Sequence, residues 1–269
     1  MDPTLLPAPD GMPSAAALIE EKTRRLERAI GRNVADEFRF LIQETILALN
    51  LSDDDHRDLA VRVYELTRYE NIALAKQYVD LVLGTTQRDR SAWGFQATRA
   101  VIQNAFKVMA IKDEVYVADL LTREEKRERD AQRYGIHVAN GDRVTYRHYT
   151  RPEFVLFGHR FRWSMITRDW QLALMKRMKF LRRWLTGWHA EERAFRDWYL
   201  SIAAQFDAGD ERTYELWLNS LRLPERVTGY REIRAPKMEE ARRLYESLNP
   251  QSTHGGRQNH APPPQSLRR

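Results

Sequence analysis

The sequence predicts a mainly α fold, a multi-helix domain that carries a small antiparallel β-hairpin insertion at about residues 136–163. Three observations lead there. Apolar residues recur at three- and four-residue spacing through most of residues 14–248, the pattern of helices that lay one stripe on a core. Ser, Asp and Pro stand where such stretches begin, and Gly or Asn where they end. Between about 136 and 163 the period falls to two, around Asn140-Gly141, as expected of a hairpin with a type I′ turn.

Taken in order, residues 1–13 hold Pro3, Pro7, Pro9, Gly11 and Pro13 and read as a disordered tail. Pro13 and Ser14 open a first helix that stops at Gly31, and the stripe Phe38, Leu41, Ile42, Thr45, Ile46, Leu49 marks a second, closed by Asn50. Ser52 and Asp55 form a near capping box for a long third helix running to Gly84. That helix is apolar on two sides, with Leu59, Val63, Leu66 and Ala73 on one and Val61, Tyr64, Ile72, Ala75 and Val79 on the other, which predicts a central position. A fourth helix, from about Ala97 to Leu121, has Lys112 and Asp113 inside an apolar arc of Ile102, Ala105, Phe106, Met109, Tyr116 and Leu120. Thr122 with Glu125 then caps a short charged helix ending near Gly135.

The period-two stretch follows, Ile136 and Val138 against Val144, Tyr146 and His148, with a second pair, Phe154 to Phe157 and Arg160 to Trp163, about Gly158-His159. Helices return as Arg168 to Leu185 closed by Gly187, His189 to Phe206, Glu211 to about Leu221 after Asp210, and Pro236 to Leu248, with a turn at Pro224 and Gly229. Residues 249–269, with four prolines, two adjacent glycines and no acid, read as a second disordered tail.

Composition narrows the chemistry. The chain has no cysteine, which excludes disulfides, Cys-ligated zinc or iron–sulfur clusters and thiol nucleophiles within it. Its seven histidines are scattered, with no HxxxH or HExxH spacing, so neither a metal nor a bound cofactor is expected. The formal charge of +6 falls to +3 once Arg257, Arg268 and Arg269 of the C-terminal tail are set aside, ordinary for a soluble protein. No run is long enough to span a membrane and the N-terminus lacks a signal-peptide pattern, so a cytoplasmic protein without membrane contact is expected.

Two regions draw attention as sites. Arg160 to Arg183 holds eight basic residues against Asp169 alone, with Trp163, Trp170 and Trp184 interleaved, the composition of a nucleic-acid platform. Helical spacing favours a plainer reading, in which Lys176, Lys179, Arg182 and Arg183 form a solvated basic face while Trp170, Ala173, Leu174, Leu181 and Trp184 turn to the core. Nucleic acid is then disfavoured, and an acidic protein partner stays open. In the second region Lys112 beside Asp113 reads better as part of a buried ion pair or a contact than as a catalytic amine. Glu191 and Glu192 are adjacent and diverge on a helix, and GxGxxG, GxxxxGK[ST] and GxSxG are absent.

Four ordered blocks carry a resemblance. Leu66 to Tyr78 reads Leu-Thr-Arg-Tyr-Glu-Asn-Ile-Ala-Leu-Ala-Lys-Gln-Tyr, and Phe106 to Leu120 contains Lys-Val-Met-Ala-Ile-Lys-Asp-Glu-Val-Tyr-Val-Ala. Leu181 to Glu192 joins Arg-Arg-Trp to Ala-Glu-Glu, and Leu223 to Tyr230 is a Leu-Pro-to-Gly-Tyr turn. Together they resemble the helical region of unknown function at the C-terminal end of bacterial indolepyruvate-type 2-oxoacid:ferredoxin oxidoreductases, over roughly residues 60–245.

The resemblance implies a non-catalytic accessory subunit or domain whose partners, the catalytic subunits, carry thiamine diphosphate and iron–sulfur clusters. It brings no assigned functional residue. The candidate interface or polar cluster is Lys112, Asp113 and Tyr116 with Tyr69, Asn71 and Tyr78 of the first block. Two other readings stay open: a stand-alone binding protein using the basic helix face for RNA or an acidic protein, and an enzyme using Lys112, Asp113 and Tyr116.

Overall fold

The computed structural model describes residues 12–248 apart from 138, 139, 143, 151, 152, 157, 158, 163, 164, 186 and 230–232; of residues 149–165 and 183 the side chains also fall outside the description. Both expected tails, up to residue 11 and from 249 on, lie outside the described residues.

The chain opens with an antiparallel pair, α1 (Ala15–Ala29) and α2 (Arg32–Ala48), hinged at Gly31, whose φ of 132° suits glycine. Ser14 caps α1 by accepting the Ala17 N–H at 3.3 Å, and Asp53 accepts the Ala15 N–H at 3.1 Å, so the first turns of two helices are tied together. The expected capping box is present: the Ser52 hydroxyl accepts the Asp55 N–H at 3.2 Å while the Asp55 carboxylate accepts the Ser52 N–H at 3.3 Å.

The long third helix is two helices, α3 (Asp53–Tyr69) and α4 (Ile72–Arg88). The break lies at Glu70-Asn71, where Asn71 takes an extended backbone and its carboxamide accepts the Leu74 N–H at 3.0 Å, starting a new helix. Apolar periodicity runs through this point and hides it. α4 also passes Gly84 and ends four residues later. There Asp89, buried, accepts the Thr98 N–H and hydroxyl, each at 2.8 Å, and the Tyr214 hydroxyl at 2.9 Å.

The fourth helix divides in the same way, into α5 (Gln96–Met109) and α6 (Glu114–Thr122), with Asp113 as the N-cap of α6. α3 packs on α1, α2, α4 and α5, as expected of a central helix, although Ala73 is exposed; α5 shares the central place, packing on α3, α4 and helices further along the chain. α7 (Glu124–Tyr134) ends at Gly135 as expected, but its N-cap is Arg123; the Thr122 hydroxyl instead donates back to the Ala118 carbonyl at 2.8 Å and closes α6.

The β insertion is two nested antiparallel pairs, β1 (Arg147–Thr150) with β4 (Met165–Arg168) outside and β2 (Glu153–Leu156) with β3 (His159–Arg162) inside. The inner pair matches the expected second hairpin within a residue. The Asn140-Gly141 hairpin does not form among the described residues. Ile136 and His137 are outside any strand, the Asp142 carboxylate accepts the His137 N–H at 2.8 Å, and a local turn takes the place of a ladder. Val138 and Ala139 lie outside the described residues.

The continuous helix expected over 168–185 is also broken, into α8 (Asp169–Met175) and α9 (Leu181–Trp184) with turns between. α10 (Ala190–Ala204), α11 (Glu211–Leu221) behind its Asp210 cap, a short α12 (Leu223–Arg226) at the expected turn, and α13 (Arg234–Leu248) complete the chain. Phe38, Ile42, Leu59, Leu66, Val101, Tyr199 and Phe206 are fully buried in one cluster joining the N-terminal pair to α10 and α11. None of the helices described is long and apolar enough to cross a membrane.

Candidate functional site

A helix leaves its last carbonyls without intrahelical partners, and the break after α3 opens such an end inside the protein. Two cations from the α8–α9 segment close it. Lys179 donates to the Arg68 carbonyl at 2.5 Å and the Glu70 carbonyl at 3.4 Å, and Arg182 donates to the Tyr69 carbonyl and, at 2.9 Å, to the Glu70 carboxylate. Positive charge at a helix C-terminus is also favoured by the helix dipole.

The other edge of the Arg182 guanidinium holds Asp113, Nε at 2.5 Å and Nη2 at 2.9 Å. Asp113 is 2% exposed and its Oδ1 also accepts the Tyr116 N–H at 2.7 Å. One carboxylate therefore caps α6 and fixes the arginine. The guanidinium lies 4.0 Å from the centre of the Tyr69 ring, and Tyr69 meets Tyr116 edge-on at 5.1 Å. Burial pushes the Lys179 ammonium down, with Arg182 and Arg68 adding repulsion against the pull of Asp119 and Glu70.

A second polar layer continues from Tyr116. Its hydroxyl donates to Glu65 at 2.8 Å; Glu65 accepts from Arg123 at 2.6 Å; Asp119 receives both Arg123 and Arg68, the latter at 2.9 Å. Arg68 donates to the Tyr64 hydroxyl at 3.0 Å, which donates in turn to Glu125. Burial alone would raise the Asp119 carboxyl, but Arg123 and Arg68 outweigh it and hold it below the usual range. Charges that answer one another this closely read as a strut joining α3, α6 and α7 rather than as a site for a charged ligand.

Next to it His189 stands in a left-handed backbone conformation, φ 54°, with its ring between Glu192 at 3.2 Å and Glu114 at 3.4 Å. Burial would lower its pKa; the hydrogen bonds to the two carboxylates prevail and push it up to about 9.

The clamp sets what faces outward. Lys179 and Arg182 point in and Lys176 is half-buried, while Trp170 and Trp184 are 64% and 79% exposed and Leu174 and Phe180 are exposed as well. This reverses the expected basic face and inward aromatics. Helical spacing misleads here because the segment is not one helix, and because the α3 carbonyls and Asp113 claim its cations. The side chain of Arg183 lies outside the described residues. Between α6 and the α8–α9 segment runs a largely apolar groove of about 200 Å³ lined by Val115, Leu174, Met175, Met178, Leu181 and Trp188, with Glu114 and Gln171 as its polar residues.

Of the candidate cluster, Asp113, Tyr116 and Tyr69 do come together, around Arg182. Lys112 is exposed, and Asp113 has Arg182 as its partner, so the Lys112–Asp113–Tyr116 pocket of the enzyme reading is not formed. Asn71 is a helix cap, and Tyr78 is buried with its hydroxyl on the Ile102 carbonyl at 2.7 Å. Sequence reasoning missed Glu65, Arg68, Glu70, Asp119 and Arg123; the i,i+4 spacing of Asp119 and Arg123 and the i,i+3 spacing of His189 and Glu192 were the available signals. Among the described residues no group of three or more His, Cys, Asp or Glu could hold a metal ion.

Arg182→Ala strands the buried Asp113 charge and the Tyr69 carbonyl, and it is expected to cost about 3–5 kcal/mol in urea unfolding, against about 1–2 kcal/mol for Lys179→Met. For His189 the folded pKa lies above the unfolded value of 6.5, so its contribution is full below that pH and is lost as pH rises through about 9. The excess melting temperature of the native chain over His189→Asn, which tolerates the left-handed backbone, is expected at about pH 6 and to vanish by about pH 10.

No curated protein and no solved structure matches this chain. A family model described as a family of unknown function, DUF6537, matches residues 56–247, from the first turns of α3 into α13. The match takes in every element of the clamp and the outward face, and covers well over half of the sequence: the chain belongs to the DUF6537 family.

Proposed function

We propose that the chain is a non-catalytic accessory module of an indolepyruvate-type 2-oxoacid:ferredoxin oxidoreductase, docking through the outward face of α8–α9 on catalytic subunits that carry thiamine diphosphate and iron–sulfur clusters. The observation that carries the docking is the set of exposed Trp170, Leu174, Phe180 and Trp184 on a segment pinned from behind by Lys179 and Arg182. Large apolar side chains gathered on one outward segment are the mark of an interaction surface. A pinned segment also loses little conformational freedom on binding. The oxidoreductase context rests on the four sequence blocks, from which Tyr69, Asp113 and Arg182 meet in the clamp, and on a cysteine-free chain that leaves cluster ligation to others. A cytoplasmic location goes with this reading.

The RNA reading gains exposed tryptophans and loses Lys179 and Arg182, which are held inside. The test mixes the purified chain with the catalytic subunits of such an enzyme. Co-elution and a change in arylpyruvate-dependent ferredoxin reduction are expected, with the Trp170→Ala, Trp184→Ala double variant weakening the complex by about a hundredfold. A chain that neither co-elutes nor changes the rate contradicts the proposal.

A further inference from the structure

We infer that the groove between α2 and α4 receives a basic amphipathic helix of a partner protein, with its aliphatic side chains in the groove and its lysines or arginines against Glu37, Glu44 and Asp80. This surface shares no residue with the α8–α9 face, and the inference does not depend on docking there.

α2 seals the core with Ala35, Phe38 and Ile42, yet it also holds Phe40 at 68% and Leu47 at 82% exposed. Seven residues is close to two helical turns, so these two large apolar side chains stand in line on one face of α2. Beside Phe40 the groove, about 210 Å³, is lined by apolar Leu41, Ile72, Val79 and Leu83. Apolar side chains gathered in this way mark a surface used for association.

Charge decides the occupant. The charged residues lining the same groove are Glu37 and Glu44 of α2 and Lys76 and Asp80 of α4, all exposed, three carboxylates against one ammonium. None of the three carboxylates has an ion pair or hydrogen bond among the described residues. The arginines of α2 do not answer them, because Arg32 is held by Glu27 of α1 at 2.9 Å and Arg39 by Glu20 of α1 at 3.0 Å. A partner with cations flanking an apolar stripe therefore meets complementary charge, and an acidic helix is repelled. A second copy of the chain, set face to face about a two-fold axis, would bring the same carboxylates together. The basic residues 249–269 of the chain itself offer a single large aliphatic side chain, Leu267, too little to fill the groove.

Shape selects a helix. Both walls of the groove are helices, and its lining recurs at three- and four-residue spacing on each, Glu37, Phe40 and Glu44 on α2 and Ile72, Lys76, Val79 and Leu83 on α4. Side chains so spaced form ridges between which the ridge of a third helix can lie. The groove offers side chains rather than a row of free backbone groups, so it suits a helix laying its apolar face down and not a strand adding to a sheet edge.

The test titrates the full chain with two labelled helical peptides of about sixteen residues, some four turns, each with leucines on one face, flanked by lysines in one and by glutamates in the other. Saturable binding of the lysine peptide is expected, about tenfold or more tighter than that of the glutamate peptide. It is expected to weaken about tenfold in Phe40→Ser and in Leu47→Ser, both at exposed positions, with far-UV spectra and unfolding midpoints reporting that the variants fold. Glu37→Lys with Glu44→Lys is expected to invert the preference between the two peptides. Equal binding of the two peptides, or binding indifferent to Phe40 and Leu47, overturns the inference. So does binding that Trp170→Ala with Trp184→Ala abolishes instead, which would move the site to the α8–α9 face. A concentration-dependent dimer in sedimentation, dispersed by Phe40→Ser, would make a second copy the occupant and overturn it as well.

Discussion

The structure turns on the open C-terminus of α3. A helix end inside a protein must find donors for its carbonyls, and here they come from more than a hundred residues downstream, from Lys179 and Arg182. Because Arg182 spends its second edge on Asp113, the same contact starts α6. Because α6 presents Tyr116 and Asp119 to α3, with Arg123 just past its end, the polar layer behind the clamp is set as well. A break that looks like a defect in one helix thus places α6 and the α8–α9 segment as well.

The relative size of two effects explains the unusual facing of α8–α9. Burying a tryptophan or leucine is worth about 1.5–3 kcal/mol, while stranding a buried carboxylate costs about 3–5 kcal/mol and each unmet carbonyl adds to it. With the cations drawn inward, the apolar residues on the opposite side of so short a segment have nowhere to go but out. The exposed face is therefore a consequence of the clamp, and its apolar area is left for association.

Much of the fold was legible where a helix announces its own ends. Ser14, the Ser52–Asp55 box, Gly135 and Asp210 act within four residues of where they stand, so α1, α2, the start of α3, the end of α7 and α11 follow from local chemistry. The breaks at Glu70-Asn71 and Ala110–Asp113 were not legible. Apolar spacing continues across both and masks the local caps Asn71 and Asp113, while the cations that satisfy the open end of α3 and hold Asp113 are distant in sequence. The candidate residues show the same division: a charge within an apolar arc demands a partner, which marks Asp113 and Tyr116, yet nothing local points to Arg182, whose spacing puts it on a solvated basic face. Spacing turns Trp170 and Trp184 inward only on one unbroken helix, and the segment is two short ones. The β insertion was half legible, since the alternation at 154–163 is real while Asp142 diverts the earlier stretch into a turn.

The outward turn of α8–α9 is the claim on which the functional argument rests, and hydroxyl-radical footprinting of the free chain reads it directly, tryptophan by tryptophan. Trp170 and Trp184 should label fast, and Trp188, 3% exposed in the wall of the groove, slowly. Protection of Trp170 and Trp184 to the level of Trp188 would mean that the aromatics belong to the core and that the clamp does not hold the segment as described.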